Sequence, residues 1–126
     1  MDTTQGIYPS ADDPLPCERL DAFKVAIELV ELAAGVQAPR GTGDALDQLR
    51  RASASAALNI GEATGRQDGR DRQHFFVIAR GSAVESAAAL RVLLAFGAVS
   101  ADEHTRGRTL CARLYAMLSR LSRTGQ

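Results

Sequence analysis

The stretch QLRRASASAALNIGEA, Gln48 to Ala63, decides the fold. From Ala52 to Ala57 it holds only Ala and Ser. Ala is the strongest helix former, and neither residue carries a long side chain. The segment therefore reads as a helix thin enough for neighbours to approach closely on more than one side. Its own apolar surface is too small to keep it helical alone in water, so it must be buried against other helices. An all-α, antiparallel up-down-up-down four-helix bundle follows, with a tendency to assemble further.

Composition agrees. A chain of 126 residues is one domain by size. Apolar residues make up 45%, but aromatics only 5% and Trp is absent, so the core must come from Leu, Ile, Val and Ala. That mixture favours helices over strands. Net charge is zero, yet unevenly placed. Residues 1–48 hold nine acidic and three basic groups, whereas residues 49–82 and 83–126 each hold six basic and three acidic. An acidic front and a basic back suit head-to-tail contact between copies. A chain built mainly to grip nucleic acid would be basic overall, which this one is not.

Working outward from Gln48–Ala63, the periodicity gives four helices. The first spans about 18–34, with Leu20, Phe23, Ile27 and Val30 as an apolar stripe widened by Val25, Leu29 and Leu32. Gly35 is its expected cap, and Pro39 stops it. The second begins near Thr42 or Asp44 and ends at Thr64, with Leu46, Leu49, Ser53, Ala56, Ile60 and Ala63 inward. The third runs from about Asp71 to Phe96, with Phe75, Ile78, Ser82, Ala89 and Leu93 near one face and Gly97 at its end. Ser100-Ala101-Asp102-Glu103 is a capping box that opens the fourth. This helix reaches about Arg120 with Leu110, Leu114, Met117, Leu118 and Leu121 inward. The bundle domain is placed at 17–124. Residues 1–16, with Pro9, Pro14 and Pro16, read as a flexible tail or as an arm anchored on a neighbour by Ile7 and Tyr8.

A hairpin of helices two and three turning near Asp68 places Arg51 beside Glu85, Ser55 beside Gly81 and Glu62 beside His74. The expected result is close approach at Ser55/Gly81 and a polar layer of Arg51, Asn59, Arg80 and Glu85. Together with Glu62, these are the candidate structural and assembly residues.

These residues resemble those of a known family, the bacterial four-helix-bundle proteins named 23S rRNA intervening-sequence proteins. QLRRASASAALNIGEA is similar to the family pattern QLRRAxxSxxxNIAEG, and FVIARGSAVE, Phe76 to Glu85, is similar to FxxxARGSxxE. LDAFKVAIELVELA, Leu20 to Ala33, resembles the family's first helix. The likeness covers about 18–122. Two positions depart from it, Gly61 where relatives carry Ala and Ala63 where they carry Gly. The resemblance implies a left-handed four-helix bundle that assembles into a ring, with homopentamers among relatives, and implies no activity. A related branch, the accessory determinants of diversity-generating retroelements, partners a reverse transcriptase and binds nucleic acid.

Catalytic and metal chemistry find little to build on. A di-iron bundle needs inward Glu and Glu-x-x-His pairs. His74 is preceded at that spacing by Asp71 and His104 by Ala101. Ser53, Ser55 and Ser82 fall in small-residue seams, where a hydroxyl bonds to the preceding turn. Cys17 and Cys111 have no CxxC or Cys/His companion and read as reduced thiols of a cytoplasmic protein. The start lacks a signal-peptide pattern, and Ala87–Val99 is too short and too interrupted to span a membrane. No catalytic, cofactor or metal site is expected. Arg66, Arg70 and Arg72 in the loop between helices two and three are the candidates for phosphate contact, diluted by Asp68 and Asp71. The leading expectation is a non-enzymatic, ring-forming scaffold or adaptor whose partner is itself. The alternative is a nucleic-acid-binding accessory protein.

Overall fold

The computed structural model describes residues 10–124. Four α-helices occur among them: α1 (Asp21–Gly35), α2 (Gly43–Thr64), α3 (Gly69–Ala95) and α4 (Ala101–Thr124). A short 3-10 helix, Pro16–Arg19, precedes α1. Each helix packs on its neighbours in the chain, α4 closes against α1, and the diagonal pairs do not touch. α2 and α3 share the broadest seam. Ser55 meets Ser82 and Gln48 meets Glu85, so these two run antiparallel. Arg80 lies over Tyr115 and Gln73 reaches Arg123, so α3 and α4 do as well. The arrangement fits the up-down-up-down bundle.

The inward row of α2 is the expected one: Leu46, Leu49, Ser53, Ala56, Ile60 and Ala63 are all buried. The α4 row is also inward, with Leu114 and Leu118 buried and Leu110, Met117 and Leu121 packed against the core, whereas the rows of α1 and α3 need correction. α1 starts at Asp21, because Leu20 is extended and separates it from the 3-10 turn. Its core side is Ala22, Val25, Ala26, Leu29 and Ala33. Leu20, Phe23, Val30 and Leu32 only flank this side, and Ile27 is 37% exposed. Gly35 is the last helical residue of α1, with no left-handed cap after it.

α3 begins two residues earlier than expected, at Gly69. The Asp68 side chain accepts from the Arg70 amide and caps the helix. Phe76 stands three and seven residues before buried Ala79 and Ala83, so it is the phenylalanine that faces the core, where it is fully buried, while Phe75 is half-buried and Ile78 38% exposed. Gly97 (φ +73°) takes the left-handed position that ends α3. Its amide donates to the Leu94 carbonyl and the Ala98 amide to that of Leu93, the paired bonds of a Schellman end. The Ser100–Glu103 box is present in both directions, at 2.9 and 3.0 Å. α4 runs to Thr124, four residues past the expected end.

Serines inside the bundle bond locally. Ser53 donates to the Arg50 carbonyl (3.1 Å) and Ser86 to that of Ser82 (2.9 Å), so neither hydroxyl is left unpaired in the core. Residues 10–13 form a hydrogen-bonded turn through Ser10 and Asp13. The arm anchored by Ile7 and Tyr8 lies outside the described residues.

Among the described glycines, Gly107 is where an added Cβ would come closest to a neighbour: it would stand 2.6 Å from Cδ1 of fully buried Leu90, which would have to shift. Gly107→Val is expected to destabilise the fold by about 2 kcal/mol through overpacking. Leu90→Ala in that background should recover part of the loss. Urea unfolding of the three variants measures both.

Candidate functional site

Adjacent arginines on a helix diverge by about 100°, and Arg50 and Arg51 accordingly reach different neighbours. Arg50 turns to α1. Its Nε donates to the Ala33 carbonyl (3.3 Å), and its Nη2 donates to those of Ala34 (3.4 Å) and Val36 (3.0 Å). These carbonyls lie at the end of α1, where that of Ala33 also accepts from the Val36 amide, and a cation at this pole suits the helix dipole. Arg50 therefore does the capping expected of Gly35. The RR pair carried the signal, since only one of two successive arginines can face α3.

Arg51 and Glu85 lie on the same side of the bundle but do not form the expected part-buried ion pair. Both are exposed and joined through Gln48, which accepts from Arg51 Nη2 and donates to Glu85, each at 3.3 Å. Ser55 meets Ser82 at 3.0 Å, not Gly81, because the register sits one residue beyond the expected one. Asn59 stays on α2 and donates to the Ser55 carbonyl and hydroxyl. Arg80 points to α4, its guanidinium 5.7 Å from the Tyr115 ring centroid. The single layer of Arg51, Asn59, Arg80 and Glu85 is thus three separate groups.

The loop arginines are also divided. Arg66 pairs with Glu62, which is thereby not given to His74, and lies 5.0 Å over the Phe75 ring. Arg72 is half-buried and donates to the Arg66 carbonyl (3.3 Å), with its Nε buried and unpaired. Alone of the three, Arg70 is exposed and has no partner for its guanidinium among the described residues. Two of three phosphate candidates are spent on holding the turn.

What sequence reasoning missed lies on the outside of α3. Val77, Gly81, Val84, Ala88, Val92 and Ala95 are all exposed and recur every three or four residues, so they form one solvent-facing row without a charge. Gly81 has no neighbour within 4 Å of where its Cβ would be, so nothing inside the protomer requires a glycine there. On the outward side of α2, Leu58 is 73% exposed, and Gly61 is equally free of neighbours. The repeat of Val77–Gly81 as Val84–Ala88 was the available signal.

Among the described residues no group of three or more His, Cys, Asp or Glu is placed to hold a metal, and no helix is long and apolar enough to cross a membrane. A recess of about 570 Å³ is an open groove between α1 and α4 flanked by Glu28, Glu31 and Arg106. The two cysteines are free thiols. Burial pushes the Cys111 thiol up to about 11, an effect that nearby Arg108 partly opposes.

A family model described as 23S rRNA-intervening sequence protein matches residues 18–120, which takes in all of α1 to α3 and most of α4. The chain belongs to the 23S rRNA-intervening sequence protein family. The family match spans both α2, with its QLRRAS opening, and the ARGS segment of α3 that supplies Gly81. None of the curated proteins compared matches the chain.

Arg50→Ala is expected to cost about 1–2 kcal/mol, because three carbonyls lose a charged donor. Arg50→Lys should recover only part, since an ammonium cannot span the same fork. Chemical denaturation measures both. The Cys111 thiol stays protonated in the folded state while an unfolded one ionises. Its contribution to stability is therefore constant below pH about 9 and falls as pH rises towards 11. At pH 8 a thiol reagent should label half-exposed Cys17 at once and buried Cys111 only on unfolding.

Proposed function

We propose that this chain is a non-enzymatic cytoplasmic scaffold that works as a ring of identical copies, five in the form the resemblance implies. One observation supports it above the others: the charge-free row Val77–Gly81–Val84–Ala88 on the outside of α3. A glycine inside a helix costs about 1 kcal/mol relative to alanine. Gly81 gives the protomer nothing in return, since a side chain there would stand in open space. A surface that is apolar, regular and bare at its centre favours a close helix from another molecule. A second copy is the partner this reading assigns.

The nucleic-acid reading rests on the α2–α3 turn, where only Arg70 is uncommitted among the three arginines. It has the weaker support.

The test is solution mass by light scattering or sedimentation. The wild-type chain should have a mass several times 13.4 kDa, five times for a pentamer. Gly81→Leu should keep its helical circular dichroism, because the position is open and leucine is a better helix former. That variant should run as a single copy. A wild-type chain of 13.4 kDa at micromolar concentration would remove the reading.

A further inference from the structure

A closed ring joins two different faces of each copy, so the α3 row needs a counterpart elsewhere on the bundle. We infer that this counterpart is the outward row of α2, Ala54, Leu58 and Gly61, so that α3 of one copy packs on α2 of the next. The inference rests on the ring reading above and names its contact.

Three features support the pairing. The first is direction. Neighbouring corners of a square bundle point roughly 90° apart, and a closed ring of four to six copies needs its two contact faces about 90–120° apart. α2 and α3 are such neighbouring corners.

The second is level. A ring whose axis follows the bundle keeps each height of one copy beside the same height of the next. The Ser55–Ser82 bond fixes which residues of α2 and α3 share a height. Counting from it, Leu58 stands between Val77 and Gly81 of the neighbour, Gly61 beside Val77, and Ala54 beside Val84. At every step a large side chain meets a small one, the knob-and-hole pattern of close helix packing. The pattern uses both outward glycines, and neither has any neighbour within its own copy. It also occupies Leu58, which is otherwise 73% exposed.

The third is charge. α1 and α2 carry six carboxylates against three cations, whereas α3 and α4 carry nine arginines against four carboxylates. Bringing α3 of one copy to α2 of the next sets the positive half against the negative half around the whole ring.

Two variants of the full chain test this, Leu58→Glu and Val84→Glu, each at an exposed position that leaves the core intact. Each alone should sediment as one copy. Mixed in equal amounts they should form a 1:1 dimer, because the intact α3 row of one meets the intact α2 row of the other. If Leu58→Glu still assembles like wild type, the ring stands and this contact is overturned, as it also is if the mixture stays monomeric while wild type assembles. A monomeric wild type removes the ring itself, a separate result.

Discussion

The hydroxyl contact between Ser55 and Ser82 at 3.0 Å stands at the centre of this structure. It is possible only because both helices are bare there: Ala52, Ser53 and Ala56 line one side, Ala79, Ala83 and Ser86 the other, all buried. Larger side chains would hold α2 and α3 apart and break this contact. With the seam closed, the register of the most extensively packed helix pair is set, and the remaining helices attach to it. α4 closes onto α3 where Gly107 admits Leu90. α1 is tied down at its end by Arg50 of α2.

Small residues serve two different ends in this chain, and the distinction separates structure from function. Gly107 is small because its own bundle leaves no room. Gly81 and Gly61 are small although their own bundle leaves ample room. The first kind accounts for a fold and the second points outside the molecule. The arginines divide similarly: Arg50 and Arg66 serve their own chain, while Arg70 stands free.

Much of the fold was legible because helical periodicity and end signals are local. The inward row of α2, the Ser100–Glu103 box and the Gly97 stop each follow from residues a few positions apart. The errors arose where a partner from elsewhere in the fold decides. Gly35 looked like a cap, but the carbonyls it would have served go to Arg50, fifteen residues on. Phe75 and Phe76 are equal candidates for the core until the packed row Ala79, Ala83, Ser86 and Leu90 sets which face of α3 is inward. A one-residue shift in register moved Ser55 from Gly81 to Ser82, and with it Gly81 passed from the seam to the surface. The expected Arg51–Glu85 pair failed for a related reason: both side chains stay in water, where a bridging glutamine serves as well. The family resemblance was readable in full from two helical motifs, because those motifs are the seam itself.

The central claim, that α2 of one copy lies along α3 of another at the level the seam dictates, is tested most directly by a disulfide across that contact. The chain would carry Leu58→Cys and Gly81→Cys, with Cys17→Ser and Cys111→Ala to remove the native thiols. Within one copy the two positions point from different corners, too far apart to bond. Mild oxidation followed by a non-reducing gel should give a ladder at multiples of 13.4 kDa that stops at the size of the ring. A single band at 13.4 kDa, with both thiols still free, would contradict the account.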